Sequence, residues 1–326
     1  MGRWPELAGN RFGRDLRVPP EPPHQQYGVP TVTVLIGQLF TGVSIGAVLL
    51  LIALGLALTF GQMGVINMAH GEFIMAGAYT TFVLQQVISA AGWSLLIALP
   101  VAFVVAGAMG VLLEFLLIRR LYARPLDTLL VTWGVSLILQ QLARDIFGSP
   151  NVQTRAPELL TGNIALPGGI TVANNRLFIL ALAGGAVVAL TVALRITPLG
   201  RRIRAVVQNR DLAAVSGIAT ARVDRMTFFI GSGLAGIAGV ALTLLGPIGP
   251  TMGTNLIIDA FLVVVVGGIG QLKGTVIVAF ALGVLQATGE YLTTLSVAKV
   301  MVFVAIVAFL QWRPQGMFTL RTRSLA

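Results

Sequence analysis

Apolar residues in this chain fall into long runs separated by short polar or basic stretches, near 33–58, 70–91, 95–118, 126–147, 176–195, 226–246, 257–272, 275–293 and 297–312. A helix needs about 20 residues to cross about 30 Å of hydrocarbon. Backbone polar groups must be paired inside the protein at that depth, and the runs lack the strict alternation of barrel strands, so helices are the expected solution. The expected fold is an all-α polytopic membrane protein with nine to ten transmembrane helices.

The pattern breaks once in a distinctive way. Residues 60–73 read FGQMGVINMAHGEF, with glycines at 61, 64 and 71 and the polar side chains Gln62, Asn67, His70 and Glu72. Their spacing cannot place all four on one helical face, so a broken or re-entrant segment is expected near 60–73. Polar groups buried in a membrane are costly, and those that persist usually face a cavity or one another. The segment is therefore a candidate wall or gate of a translocation path. A solvated loop in which His70 and Glu72 only mark topology remains open beside it.

A second polar pattern lies in DTLLVTWGVSLILQQ, where Thr128, Thr132, Ser136 and Gln140 recur at helical spacing, flanked by Trp133 and Gln141. A stripe of hydroxyls and amides without charge suits the passage of a small polar, uncharged solute. The same groups can instead join helices by hydrogen bonds, and spacing does not separate the two roles. Gly231, Ser232, Gly233, Gly236 and Gly239 have the small-residue spacing of close helix packing. The stretch VGGIGQLKG at 266–274 is no nucleotide loop, because neither a preceding strand nor a Walker or Rossmann pattern accompanies it. Asp259 and Glu290 sit near the expected outer ends of their spans, where water reaches them, and a proton relay is not favoured.

Composition agrees with the pattern: 56% of the 326 residues are hydrophobic, 10% are charged and mean hydropathy is +0.88. The formal net charge of +10 falls between apolar runs instead of on a soluble basic face, so it reports membrane topology and not nucleic-acid binding. With no Cys and two His, His24 and His70, no metal centre is expected, and no cofactor bound by this chain.

Basic residues also set the orientation. Arg119, Arg120 and Arg124, the stretch from Arg195 to Arg225, Lys273, and Arg313, Arg321 and Arg323 all belong in the cytoplasm by the positive-inside rule, with a cytoplasmic C-terminus. Segments 148–174 and 247–256 are then the outer loops. Residues 1–32 have arginines but no apolar h-region and end rich in proline, which excludes a cleavable signal peptide and suggests a disordered leader. Counting nine spans back from Arg119 puts that basic leader outside, against the rule, unless 61–71 hides a further crossing or a broken helix; a broken helix is the expectation. Residues 33–326 form the transmembrane domain.

The longest inner loop, 196–225, carries the most specific signal. Arg201 to Ser216 can form an amphipathic helix presenting Ile203, Val206, Val207 and Ala213 to apolar surface, with Gly217 as its stop. Such a helix either docks a partner protein or rests on anionic lipid.

Four segments carry a family resemblance: GVSIGAVLLLIALGLALTFGQMGVINMAHGEFIMAGAYTTFVLQ at 42–85, LLVTWGVSLILQQLARDIFG at 129–148, GRRIRAVVQNRDLAAVSGI at 200–218 and VVVVGGIGQLKGT at 263–275. From about residue 34 to the end, the chain resembles the membrane permeases of ABC importers of the branched-chain amino acid type, and within them the urea permeases. INMAHGE together with TWGVSLILQQ is its specific part; the glycine-rich segments are less so. The resemblance implies a helical permease that catalyses nothing itself, with ATP and Mg on two separate ATPase subunits. It further implies a second permease subunit, an extracytoplasmic solute-binding protein and a bacterial inner membrane. Ala213, Gly217 and Ile218 match the family's ATPase-facing loop, and Arg204, Gln208 and Asn209 accompany them. Urea is the implied cargo, with branched-chain amino acids or short amides as the alternative and a passive channel as a further one. The long leader departs from the family pattern.

Overall fold

The computed structural model describes residues 32–122, 124–166 and 170–318. The leader and the arginines at 321 and 323 lie outside that range. The expected spans correspond to helices α1 (Val32–Met63), α2 (His70–Val87), α3 (Ala91–Leu116), α4 (Pro125–Phe147), α6 (Asn174–Ile196), α9 (Thr220–Leu242), α10 (Met252–Gly267), α11 (Leu272–Leu292) and α12 (Leu295–Trp312). A short helix α5 (Glu158–Thr161), a two-stranded antiparallel hairpin β1 (Asn163–Leu166) and β2 (Ile170–Ala173), and helices α7 (Pro198–Gln208) and α8 (Arg210–Val215) fill the connections. Seven of these helices are long and apolar enough to cross a membrane. The shorter α10 and the polar α2 complete the bundle.

The packing core is α1, α2, α3 and α9. Residues 47–54 of α1 are almost wholly buried, which explains why this helix is apolar on every face. Small residues set the helix separations: a Cβ added at Gly77 would stand 2.1 Å from the carbonyl oxygen of Gly236, and one at Gly71 would stand 2.6 Å from that of Gly253. The glycine-rich face of α9 therefore serves internal packing, as its spacing suggests. By contrast α12 buries only Ala298 and Ile306 and lies at the periphery.

The basic connections converge at one end of the bundle. Gln62 bonds Asp224, Tyr122 reaches Met63, the Arg210 guanidinium lies over the Tyr122 ring, Gly61 packs on Gly270, and Phe318 meets Gly268. At the other end Val152 pairs with Ile248, Arg155 with Gln85 and Asn175 with Leu244. The first of these pairs joins the two segments expected as outer loops.

Two expectations are refined. Region 61–71 holds no additional crossing: α1 continues to Met63, and the chain then climbs back without helical structure until His70, whose Nε2 lies 3.3 Å from the carbonyl of Ile52. Eleven α1 residues, about 16 Å of rise, separate that level from the helix end. α2 thus starts deep in the bundle from a re-entrant segment. The expected single helix over 201–216 is in fact two. Asn209 adopts an extended conformation (φ −158°) and its Oδ1 accepts the Leu212 N–H at 2.9 Å, capping α8 and ending α7.

Candidate functional site

The re-entrant segment and the polar stripe of α4 meet. The buried residues of α4 are Thr128, Thr132, Ser136, Gln140 and Ala143, so the stripe is its inward face, while Leu130, Trp133, Leu137 and Ile138 point outward. Ser136 Oγ donates to Glu72 Oε1 at 2.8 Å, and Gln140 Nε2 donates to the same oxygen at 2.9 Å. Gln140 also reaches Thr254 Oγ1 at 2.9 Å, which brings the start of α10 into the cluster. Thr132 Oγ1 accepts the N–H of Met68 at 3.1 Å and donates to the Thr128 carbonyl at 2.8 Å. A non-helical backbone at this depth needs such partners.

Three polar atoms in this region stay buried and unpartnered: Asn67 Nδ2, His70 Nδ1 and Glu72 Oε2. Asn67 Oδ1 is occupied by the Ala69 N–H at 3.0 Å, in a local turn that opens α2. A carbonyl can only accept, so the contact with Ile52 assigns the proton of His70 to Nε2 and leaves Nδ1 as an acceptor. The break therefore holds one free donor nitrogen, with two N–H groups, and two free acceptor atoms. Among the described residues no cation pairs with Glu72. His70 and Glu72 are fully buried, which removes the reading of a solvated loop.

Not every expected site residue joins this cluster. Trp133 flanks the stripe and is 51% exposed, because one residue beyond Thr132 turns the side chain by about 100°. Gln62 lies at the basic end of the bundle and belongs to a different network. Its Nε2 donates to Asp224 Oδ1 at 2.9 Å and its Oε1 accepts from the Thr227 hydroxyl. Asp224 is fully buried, and its other oxygen takes Arg210 Nη2 of α8 at 2.5 Å. The Arg210 guanidinium lies 4.7 Å from the Tyr122 ring centre, and Tyr122 donates to Glu114 Oε1 at 2.9 Å. Burial, followed by the Asp224 and Glu114 carboxylates, pushes the Tyr122 hydroxyl above its ordinary range, so it remains a neutral donor. Burial works against the charge of Arg210, but the bond from Asp224 outweighs it and holds the guanidinium charged.

Sequence reasoning missed Glu114, Tyr122, Asp224 and Thr254. Glu114 and Asp224 are the detectable ones: each is an acid inside or beside an apolar run, the same signal that singled out Asp259.

In the connection 196–225, Ile203, Val206 and Ala213 are buried as expected, but Val207 is partly exposed. Arg204 Nη1 donates to the Leu194 carbonyl at 2.9 Å, Gln208 is exposed, and Asn209 is the cap of α8. Gly217 has φ +83°, and the Ile218 N–H closes on the Ala213 carbonyl at 3.0 Å, the hydrogen bond of a Schellman stop. This turn leaves Leu212 and Val215 exposed beside it, the latter by 88%.

The architecture defines a polytopic helical membrane protein with a polar, re-entrant segment at its centre and a structured loop at its basic end. Residues 38–310 match the family described as branched-chain amino acid transport system / permease component, and the chain belongs to that family. It is 32% identical to the high-affinity branched-chain amino acid transport system permease protein LivH of Escherichia coli (strain K12) over 292 residues, 86% of this chain and 94% of the relative. It is 28% identical over 299 residues to BraD of Pseudomonas aeruginosa, 88% and 97% of the two chains. A probable LivH of Methanocaldococcus jannaschii is 28% identical over 255 residues, 74% and 77% of the two chains. No solved structure matches the chain. As a family member it is the permease component of an ABC transporter, the non-catalytic part, with the ATPase on separate subunits.

Proposed function

We propose that this chain is one of two permease subunits of an ATP-driven importer in a bacterial inner membrane and supplies half of the path for urea. The observation that carries the cargo reading is the set of unpaired buried atoms at the break, one donor on Asn67 and two acceptors on His70 and Glu72. Urea offers four N–H donors and one carbonyl, which complements that set without a counter-ion for a carboxylate. A second reading, branched-chain amino acids, is supported by the names of the relatives.

The site is closed in this conformation, and α4 is the element suited to open it. Backbone-to-backbone approaches through glycine lock α2 to α9, whereas α4 is held through hydroxyl and amide hydrogen bonds that water or solute can replace. ATP-driven motion would enter through α7 and α8, where Leu212 and Val215 offer apolar contacts to an ATPase. The Arg210–Asp224–Gln62 network joins α8 to the foot of α1 and so to the re-entrant segment. Transport follows if the ATPases bind the two conformations with different affinity.

The test is uptake of labelled urea by the complete transporter with its binding protein, with and without this chain, with and without ATP, and with leucine as competitor. Uptake that needs this chain and ATP and ignores leucine is expected. Leucine-sensitive or absent urea uptake would replace the cargo, and ATP-independent equilibration would make the protein a channel. Replacing Gly217 by a bulky residue is expected to leave membrane insertion intact and to abolish ATP-dependent uptake. An added Cβ meets nothing within 4 Å there, so the intrinsic cost is the left-handed backbone, about 1–2 kcal/mol. Normal uptake by that variant would remove the coupling role of this turn.

A further inference from the structure

A cleft of about 350 Å³ opens between α10, α11 and α12, and none of the residues lining it belongs to the buried break. Its walls include Ile258, Leu262 and Phe303, and its polar groups are Asp259, Lys299, Asn255 and Gln286. Lys299 Nζ stands 3.9 Å from Asp259 Oδ2, within ion-pair range but too far for a hydrogen bond. Both side chains remain partly open, at 47% for Lys299 and 29% for Asp259. Gln286 gives its amide N–H to Glu290 at 2.8 Å, and Asn255 makes no side-chain hydrogen bond among the described residues.

Physical cost narrows what this cleft can face. Asp259 lies in the second turn of α10, and Lys299 one turn inside α12, both within segments that are otherwise apolar. A carboxylate and an ammonium do not face lipid hydrocarbon at such positions; they face water or protein. A partly exposed ion pair contributes little to stability by itself, and at 3.9 Å both groups can still take other partners. This one is separated, flanked by two amides and backed by apolar walls, in a volume typical of small-molecule sites.

We propose that this cleft is a second cargo-contacting station, in which Asp259 accepts N–H groups and Lys299 donates to the oxygen of a small amide or zwitterionic solute. The proposal rests on the importer reading above, and it assigns recognition to residues that the polar break does not contain. Both candidate cargoes carry N–H donors and an oxygen acceptor. They differ at the walls: an aliphatic side chain has apolar surface to bury against Ile258, Leu262 and Phe303, and urea has none.

The chain contains no cysteine, so labelling of this subunit in a single Asn255→Cys variant, read on the isolated band of this chain, reports on this cleft. The complete transporter carrying it is treated with a membrane-impermeant methanethiosulfonate reagent, with urea or leucine present at millimolar concentration or absent. Modification from the aqueous phase, slowed by one of the two solutes, is expected; the solute that protects identifies the source of the chemistry. Asp259→Asn and Lys299→Gln are expected to remove the protection and to reduce uptake about tenfold or more, at unchanged amounts of assembled complex. The charge-exchanged double variant, Asp259→Lys with Lys299→Asp, is expected to stay defective, because it reverses the ends of the site. Absence of modification, modification indifferent to both solutes, or restored uptake in the charge-exchanged variant would overturn the proposal. Failure of the importer reading has a separate signature, no ATP-driven uptake of either solute by the unsubstituted transporter, which the labelling result does not depend on.

Discussion

Glu72 shows how a single side chain organises its surroundings. Its Oε1 is satisfied by Ser136 and Gln140, while its Oε2 has no partner. Ser136→Ala removes one donor from a buried carboxylate and should destabilise the protein by about 1–3 kcal/mol, read as a lower thermal midpoint in detergent. Leu137→Ala, on the exposed side of the same helix, serves as the control and should be close to neutral. Equal effects of the two substitutions would mean that the α4 hydrogen bonds contribute nothing. The polar identity of these residues was legible in the sequence, and so was the helical spacing of the α4 stripe. Their pairing was not, since Glu72 and Ser136 are 64 positions apart and no local rule links them.

At the scale of elements, the same glycine content has opposite consequences in different helices. A Cβ on Gly77 would sit 2.1 Å from backbone of Gly236, so Gly77→Leu must push α2 from α9 and should prevent assembly of a folded protein. Gly184 of α6 has nothing within 4 Å of an added Cβ, and Gly184→Ala should stabilise that helix by about 1 kcal/mol through helix propensity. Expression in the membrane and thermal stability in detergent distinguish the two, and a tolerated leucine at 77 would contradict the close packing described. Periodicity located every long helix, with ends displaced by up to six residues. It joined α7 and α8 into one, because the hydrophobic spacing persists through Asn209 and only the cap geometry shows the stop.

For the whole molecule, the absence of cysteine makes sidedness directly testable. Leu159 and Val215 are 86% and 88% exposed at opposite ends of the bundle. In intact cells an impermeant thiol reagent should modify Leu159→Cys, and should reach Val215→Cys only after permeabilisation. The reverse pattern would invert the topology and, with it, the assignment of 196–225 to the ATPase side. The two ends differ in charge in the sequence, but their convergence is tertiary: the segments 117–122 and 196–225 meet through Arg210 and Tyr122.

The sequence by itself determined the solvent and the class, because these follow from the summed hydrophobicity of runs, and it set an expected topology from where the basic residues fall between them. It also singled out the break at 60–73 and the α4 stripe, since polar residues in hydrocarbon are anomalous wherever the chain goes. Tertiary structure alone decided that these two features form one buried cluster, that Gln62 belongs to another, and that Asp259 has Lys299 opposite it. The reason is physical: hydrophobic burial depends on local pattern, whereas a hydrogen bond or ion pair depends on which helix lies alongside. In this bundle that choice is made by small-residue faces far from the polar groups themselves.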